Sequence, residues 1–123
     1  MEKRFSKACE RNKEPILDVL GDYVDGVESI FEIGCGTGQH AVFFAEQFPE
    51  IVWRPADRPG RLESMRARFD ESDLDNLQEP VEFDLFDESA PVEHLDAVVA
   101  INVLQIAPPE AIPKLFEHAA AIM

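Results

Sequence analysis

A glycine cluster directly after an apolar run is the part of this sequence best suited to hold a ligand. Residues 29–33 (Ser-Ile-Phe-Glu-Ile) favour a strand, and Gly34, Gly36 and Gly38 follow at alternate positions. Glycine has no side chain, so backbone N–H groups and the start of the next helix can approach a ligand closely. The pattern suits a nucleotide-like ligand, although a tight strand-to-helix turn without any ligand would use the same residues.

Acidic residues stand near the ends of three predicted strands around this loop. Glu32 lies two residues before Gly34, Asp57 follows the second strand, and Asp84 lies in the third. The carboxyl ends of parallel strands meet at the edge where open α/β folds bind ligands. A carboxylate at Asp57 can accept hydrogen bonds from both hydroxyls of a ribose, whereas any one acid taken alone is more often a solvated surface residue.

The glycine spacing differs from two other nucleotide-binding loops. The dinucleotide fingerprint requires its third glycine at position 39, where this chain has Gln39, with Gly38 one place earlier. The sequence Gly-Lys-Ser or Gly-Lys-Thr of a Walker loop does not follow. A nicotinamide or flavin enzyme is therefore disfavoured.

Strands and helices that alternate along the chain would position these residues. The predicted strands are 29–33, 51–56, 81–85 and 95–101. Apolar residues recur at helical spacing in 16–24, 41–48, 62–69 and 112–120. This order predicts βαβ units, with right-handed crossovers and helices on both faces of a parallel sheet. The continuous apolar run 97–101 predicts a fourth strand that is covered on both faces.

Prolines set the expected limits of three elements. Asn12 is predicted to cap the first helix, with Pro15 in its first turn, where backbone N–H groups have no internal partner. Pro55 cannot donate to a ladder and is placed at the end of the second strand. Pro113 is placed in the first turn of the last helix. The apolar side of that helix is predicted to be Ile112, Leu115, Phe116, Ala119 and Ala120.

Composition narrows the class of protein. The chain has 25 Asp and Glu against 11 Lys and Arg, for a net charge of -14, so its field repels nucleic acids and anionic membranes. Cys9 and Cys35 lack the CxxC spacing of zinc or redox sites, and we predict no metal. The N-terminal residues lack the apolar core of a signal peptide. We expect a cytoplasmic protein whose residues 1–123 form one domain.

Residues 31–38 (Phe-Glu-Ile-Gly-Cys-Gly-Thr-Gly) resemble motif I of class I S-adenosylmethionine-dependent methyltransferases, including the acid before the first glycine. The resemblance implies a three-layer Rossmann-like α/β fold, S-adenosylmethionine as cofactor and S-adenosylhomocysteine as product. By this resemblance, Gly34, Cys35, Gly36 and Gly38 form a loop that binds the methionine moiety, and Glu32 supports either the loop or the amino group of the ligand. Asp57 contacts the ribose, and Asp84 and Leu85 contact the adenine. Asn102 faces either the cofactor or the substrate.

A second resemblance covers nearly the whole chain. Residues 6–12, 15–16, 38–41, 53–57 and 102–106 are similar to a bacterial family of methyltransferase-like proteins of unknown function. That family would carry His where Gln105 stands and Gln where Arg54 stands, so this chain departs from the family pattern at these two positions. The resemblance supplies a cofactor and no methyl acceptor.

The resemblance also bears on the end of the chain at Met123. Class I methyltransferases continue with three more strands, so we expect a truncated sheet of about four strands with the fourth at an open edge. Such an edge predicts a homodimer through the fourth strands or the terminal helices. The alternative is a truncated product whose natural partner supplies the rest.

The implied reaction is in-line attack of a nucleophilic N, O, S or C on the sulfonium methyl, which requires no nucleophile from the protein. We assign no catalytic residue: His40 begins a helix, and His94 and His118 are predicted at the surface. Arg11 and Asn12 either close over the cofactor or serve as cap and surface ion pair. Three functions therefore stay open: a methyltransferase, a non-catalytic cofactor-binding or interaction module, and a nucleotide-dependent oxidoreductase.

Overall fold

The computed structural model describes residues 7–60, 62–92, 94–101 and 108–123. Its helices are α1 (Lys7–Gly21), α2 (Gln39–Gln47), α3 (Leu62–Ser72) and α4 (Ala111–Ile122). Its strands are β1 (Ser29–Ile33), β2 (Val52–Asp57), β3 (Val81–Glu82) and β4 (Ala97–Ala100). In the part of the chain that is described, no helix is long and apolar enough to cross a membrane.

All four strands run parallel in one sheet, in the order β3-β2-β1-β4. The central strand β1 pairs with β2 from Ser29 opposite Val52 to Ile33 opposite Ala56. This register brings the glycine loop after β1 beside the end of β2. The predicted α/β Rossmann-like parallel sheet is confirmed.

Helices cover both faces of the sheet. The face that contains Ile30 and Trp53 packs against α1 and α2, while the face that contains Phe31, Ile33 and Ala56 packs against α4. Because side chains alternate along a strand, successive residues of β1 belong to different cores. The same alternation divides β4 between the two cores, as its continuous apolar run predicts, although every β4 residue is only half-buried.

The first helix differs from its prediction. It begins at Lys7, so Asn12 is not its cap and Pro15 lies inside it. Residues 7–14 are mostly good helix formers, which favours the longer helix. Pro15 is exposed and leaves only the carbonyl of Arg11 without its helical donor, a group that water can satisfy.

Pro55 lies inside β2 and not at its end, and the neighbouring pairs explain how the sheet tolerates it. On the side of β2 that faces β3, Trp53 bonds to Asn76 and Gln78, and Asp57 accepts from Phe83. Backbone groups of Pro55 point to the same side, between these two sets of bonds, where the ladder is interrupted. The missing N–H of Pro55 therefore removes no bond from the ladder. Pro113 is the third residue of α4, in its first turn as predicted.

The predicted surface position of His118 is wrong. His118 is 6% exposed, its Nε2 lies 2.9 Å from the Leu85 carbonyl oxygen, and its ring stands edge-on to Phe83 at 4.9 Å. The helix buries residues 111, 118 and 122 against the sheet, and Leu115 packs against the same core. The predicted apolar side is therefore correct for Leu115 and the half-buried Ala119 only. Ile112 and Phe116 are consequently 45% and 67% exposed.

Strands β3 and β4 are both shorter than predicted, and aspartate carboxylates accept backbone N–H groups next to their ends. After β3, the Asp84 carboxylate accepts from the Phe86 N–H at 3.0 Å, and the Asp87 carboxylate accepts from the Asp84 N–H at 3.0 Å. Before β4, the Asp96 carboxylate accepts from the Glu28 N–H at 2.7 Å. Side chains thus take over backbone bonds that a ladder would make.

One structural residue, Asn76, carried no signal in the sequence. Its Nδ2 donates to the carbonyl oxygens of Ala45, Phe48 and Ile51 at 2.9, 3.1 and 2.9 Å. These carbonyls belong to the last turn of α2 and the approach to β2. Asn76 therefore satisfies the end of α2, which has no basic residue in its last turn.

We expect Asn76→Ala to lower the free energy of unfolding by about 1–3 kcal/mol, because partly buried carbonyls lose their donor. Urea unfolding would measure the loss. The neighbouring Asp75 is exposed, so Asp75→Ala should change stability by less than about 0.5 kcal/mol. Equal losses in the two variants would contradict this role of Asn76.

Candidate functional site

The glycine loop joins β1 to α2 and is fixed to the end of β2. Gly34, Gly36 and Gly38 have φ of 75°, 59° and 82°, a region that glycine enters at little cost. The N–H groups of Gly34 and Cys35 both donate to the Ala56 carbonyl, at 2.8 and 3.0 Å. The loop is therefore built on the paired ends of β1 and β2.

Gly36 and Gly38 need their missing side chains for different reasons. A Cβ on Gly38 would lie 2.9 Å from Cε1 of Phe69 and 3.0 Å from Cβ of Met65, so this glycine lets α3 pack against the start of α2. A Cβ on Gly36 would meet nothing within 4 Å. Because Gly36 has no side chain, the backbone on the open side of the loop is accessible and a ligand can approach it closely.

Asp57 lies beside this open backbone at the end of β2. Its Oδ2 accepts from the Gly36 N–H at 2.8 Å and its Oδ1 accepts from the Arg58 N–H at 2.7 Å. The residue is 6% exposed, and these two bonds hold its carboxylate in one orientation. Each oxygen retains acceptor capacity, so the carboxylate can still accept from the hydroxyls of a sugar.

Glu32, in β1 directly before the glycine loop, supports the loop from the buried side. It is 2% exposed, and its Oε1 accepts from the indole N–H of Trp53 at 2.9 Å. Burial raises the pKa of Glu32 to about 7, and the Trp53 hydrogen bond opposes that shift. The Glu32 carboxyl group therefore links β1, the strand before the loop, to Trp53 in the core that packs against α1 and α2.

Cys35 is a second support. Its Sγ accepts from the Ala56 N–H at 3.2 Å and its thiol donates to the Glu32 carbonyl at 3.5 Å. Burial raises the pKa of the Cys35 thiol well above its usual range, and the nearby Glu32 charge raises it further. The thiol therefore stays protonated and joins β1 to β2.

A polar chain attaches α1 and α3 to the loop, and sequence reasoning missed it. Thr37 Oγ1 donates to Gln39 Oε1 at 2.9 Å, and Gln39 Nε2 donates to Glu10 Oε1 at 3.1 Å. Glu10 is paired with Lys13 at 2.9 Å, and hydrogen bonds from Lys13 and Gln39 lower the pKa of Glu10. From α3, Arg68 Nε donates to the Thr37 carbonyl at 3.1 Å. Gln39 and Glu10 are 29 positions apart along the chain, and Arg68 and Thr37 are 31 apart, so no local sequence pattern predicts these two contacts.

His40, the second residue of α2, is 5% exposed, and burial lowers its pKa. Its Nδ1 is buried and has no hydrogen-bond partner among the described residues. Arg11 and Asn12, whose roles the sequence left open, lie in the interior of α1, with Arg11 exposed and Asn12 half-buried. His40 thus adds a buried polar atom to the end of the sheet that carries the loop.

The remaining predicted residues fall at different distances from the loop. The Phe83 N–H donates to the Asp57 carbonyl at 2.8 Å, which brings Asp84 to the same edge of the sheet. The Leu85 side chain is 5% exposed and belongs to the core under α4. Asn102 lies outside the described residues. The structure therefore gathers Glu32, the glycine loop and Asp57 closely, with Asp84 one strand away.

These features fit an adenosyl amino acid. The open backbone at Gly36 admits close contact, and the fixed carboxylate of Asp57 can accept from ribose hydroxyls. The Gln39 N–H at the start of α2 donates to Thr37 Oγ1 at 3.3 Å, and the positive end of the helix dipole favours a ligand carboxylate. The arrangement can bind and orient such a molecule.

The raised pKa of Glu32 predicts a pH-dependent stability. Between about pH 4.5 and 7 the folded protein holds a proton that the unfolded chain releases, so this stabilisation is complete below pH 4.5 and lost as the pH rises through 7. In Glu32→Gln, which keeps an acceptor for Trp53, the free energy of unfolding should fall less over this range, by up to roughly 3 kcal/mol. Urea unfolding at several pH values would measure it. The exposed Glu82→Gln is the control, and parallel profiles for wild type and Glu32→Gln would contradict the buried protonated state.

Solved methyltransferases share this fold. The S-adenosylmethionine-dependent methyltransferase SibL, in its apo form, is similar in structure, with a TM-score of 0.80 and 27% sequence identity. The match covers 94% of this chain and 33% of the SibL chain. PKMT2 from Rickettsia typhi in complex with AdoHcy matches 79% of this chain and 19% of its own, with a TM-score of 0.66 and 20% identity. A putative S-adenosyl-L-methionine-dependent methyltransferase from Methanococcus maripaludis matches 100% of this chain and 63% of its own, with a TM-score of 0.69 and 15% identity.

The chain thus spans about a third of the length of SibL. A family model described as a protein of unknown function, DUF938, matches residues 3–123. That match extends over nearly the whole sequence and includes both the glycine loop and Asp57. The chain therefore belongs to the DUF938 family.

Proposed function

We propose that this chain is the cofactor-binding portion of an S-adenosylmethionine-dependent methyltransferase, with S-adenosylhomocysteine as the product. The observation that carries the proposal is the buried Asp57 carboxylate, fixed at 2.8 Å on the open glycine loop at the carboxyl edge of the sheet. The likeness to SibL and the AdoHcy complex of PKMT2 supports the same cofactor. We also propose that the DUF938 family consists of bacterial methyltransferase-like proteins.

Each site residue has a proposed role. Asp57 accepts from the ribose hydroxyls, and the loop from Gly34 to Gly38, with Cys35 beneath it, lies against the methionine moiety. Glu32 holds the loop from below through Trp53. Adenine lies between the ends of β2 and β3, next to Asp84 and the backbone of Leu85. Asn102, outside the described residues, completes the proposed set.

When bound, S-adenosylmethionine supplies an activated methyl on a sulfonium sulfur, and its transfer breaks the C–S bond and forms a bond to an N, O, S or C nucleophile. The residues of this chain bind and orient the adenosyl and amino-acid parts, which fixes the direction in which the methyl faces. Alignment of the two reactants contributes most of the rate gain in such a transfer.

A non-catalytic cofactor-binding module is the second candidate. The observation that favours it is that every described residue of the site has a role in binding the cofactor or in supporting the loop. Both candidates require the same cofactor site and differ in methyl transfer. Incubation of the purified chain with methyl-labelled S-adenosylmethionine and cell extract separates them, because only the methyltransferase labels an acceptor.

Calorimetric titration tests the shared site. We expect S-adenosylhomocysteine to bind with micromolar affinity and NAD to show no measurable binding. Asp57→Asn should weaken S-adenosylhomocysteine binding at least about tenfold, because the hydroxyls lose a charged acceptor. Gly36→Ala should weaken it too, because the added methyl occupies the ligand side of the loop.

Asp96→Asn is the matched control for Asp57→Asn. Both carboxylates accept a backbone N–H from another element, at 2.7 Å for Asp96, but Asp96 lies at the opposite end of the sheet. We expect the control to lose less stability than Asp57→Asn, because Asp96 is exposed, and to bind S-adenosylhomocysteine with unchanged affinity. Tighter binding of NAD than of S-adenosylhomocysteine would favour an oxidoreductase and contradict the proposal.

A further inference from the structure

Positive charge is concentrated in two short segments of this acidic chain. Residues 1–14 and 54–68 contain ten of the 11 Lys and Arg but only five of the 25 Asp and Glu. In the rest of the sequence, Lys114 is the single basic residue beside 20 acidic ones. Charge that is divided in this way produces a local field of opposite sign to that of the remaining surface.

The fold brings both segments to the glycine loop. On one side, the Glu10 carboxylate of α1 accepts from Gln39 Nε2 at 3.1 Å, and Lys13 Nζ lies 2.9 Å from the same carboxylate. On the other side, Arg68 Nε of α3 donates to the Thr37 carbonyl at 3.1 Å. Lys13 and Arg68 therefore flank the loop from two different helices.

Arg58 adds a third positive charge at the end of β2. It directly follows Asp57 in the sequence, its backbone N–H donates to the Asp57 carboxylate at 2.7 Å, and it is exposed. Among the residues that the structure describes, no carboxylate forms an ion pair with Arg58. Lys13, Arg58 and Arg68 together form what we call the basic rim.

Two carboxylates are hydrogen-bonded to the loop or to the start of α2, and both are already engaged. Hydrogen bonds, above all that from Lys13, lower the pKa of Glu10, and the charges of Lys13 and Arg68 lower it further. Asp57 accepts from two backbone N–H groups and is the proposed ribose contact. The charge of Arg58 is left over, so the basic rim is positive as a whole.

The cofactor does not account for this positive charge. At neutral pH, S-adenosylmethionine carries a sulfonium, an ammonium and one carboxylate, so it is on balance a cation. Its product, S-adenosylhomocysteine, has no net charge. A positive field attracts neither molecule, whereas it attracts the second reactant, the methyl acceptor, if that molecule is an anion.

The surrounding acidic residues limit the size of such an anion. At physiological ionic strength a charge is felt over about 8 Å. A nucleic acid or an anionic membrane would extend beyond the basic rim and meet the acidic remainder of the surface, which repels it. A small molecule with one or two charged groups stays within reach of the rim.

We propose that the methyl acceptor of this site is a small anionic molecule, with at least one carboxylate or phosphate group, that the basic rim attracts to the cofactor. The proposal rests on the proposed methyl transfer and names its substrate class. A lone pair of the acceptor forms the new bond to the methyl carbon, the electrons of the broken C–S bond stay on sulfur, and any proton on the attacking atom passes to water.

Methyl transfer to fractionated small molecules tests this substrate class. A cell extract is filtered to remove macromolecules, and the filtrate is divided on an anion-exchange column at pH 7 into a retained and an unretained fraction. The purified chain and methyl-labelled S-adenosylmethionine are added to each fraction and to the macromolecules. We expect at least about tenfold more labelled product from the retained fraction than from either of the others, and any smaller excess would overturn the proposal.

Charge variants of Arg58 test the basic rim itself. With a limiting amount of the retained fraction at low salt, the initial rate should fall about threefold in Arg58→Gln and at least about tenfold in Arg58→Glu. Added NaCl should slow the wild type more than Arg58→Gln, because salt screens the lost charge. Rates in both variants equal to the wild-type rate would overturn the proposal.

Arg66→Gln is the matched control for Arg58→Gln. Arg66 is an exposed basic residue of the same segment, but it lies 3.6 Å from the exposed Glu79 and is not part of the basic rim. The control removes the same charge from the chain, and its rate should stay within about 1.5-fold of the wild-type rate. A loss as large as that of Arg58→Gln would overturn the proposal, since net charge alone would then explain both.

Titration with S-adenosylhomocysteine separates this proposal from the proposed function. The Arg58 variants should bind it within about threefold of the wild-type affinity, because this ligand has no net charge. A larger loss would assign Arg58 to the cofactor and overturn the proposal. A chain that binds S-adenosylhomocysteine but labels no fraction would overturn it too and leave a non-catalytic cofactor-binding module, whereas a chain without that binding would contradict the proposed function itself.

Discussion

The hydrogen bond between the Asp57 carboxylate and the Gly36 N–H is the contact on which the functional site depends. It joins the turn after β1 to the end of β2 and holds a charged acceptor at the edge where open α/β sheets bind ligands. The bond requires Gly36 to adopt a φ of 59° with its backbone bare, and it requires β1 and β2 to pair up to Ile33 and Ala56. This one hydrogen bond therefore depends on the sheet register and on the turn conformation, and it orients the carboxylate that can accept from a ligand.

The buried groups beneath this contact stabilise it. Glu32 connects β1 to Trp53 on β2, and Cys35 bonds to the same β2 backbone that receives the loop. Each group is desolvated, and burial raises the pKa of both. An ionisable side chain at position 32 is costly in a core unless it is hydrogen-bonded, which Trp53 provides. The acid before the first glycine thus acts on the ligand site through the loop.

The sequence predicted the layered fold, the parallel sheet and the loop because hydrophobic period and glycine placement are local signals. It failed where distant residues decide the outcome. Pro55 is tolerated inside β2 because the hydrogen-bond ladder to β3 is interrupted beside it. His118 is buried because its ring nitrogen finds a hydrogen-bond partner in the Leu85 carbonyl across the core. Asn76, Glu10 and Arg68 bond to residues 25 or more positions away, so their roles required the folded chain. The position of Asp57 at the end of β2 was predicted because the end of this strand can be recognised in the sequence.

The most direct test of the central claim is a crystal structure of the chain with S-adenosylhomocysteine. The account predicts both ribose hydroxyls within hydrogen-bond distance of the Asp57 carboxylate and the amino-acid part of the ligand against the backbone of Gly36. A ligand bound elsewhere, in contact with neither Asp57 nor Gly36, would contradict it.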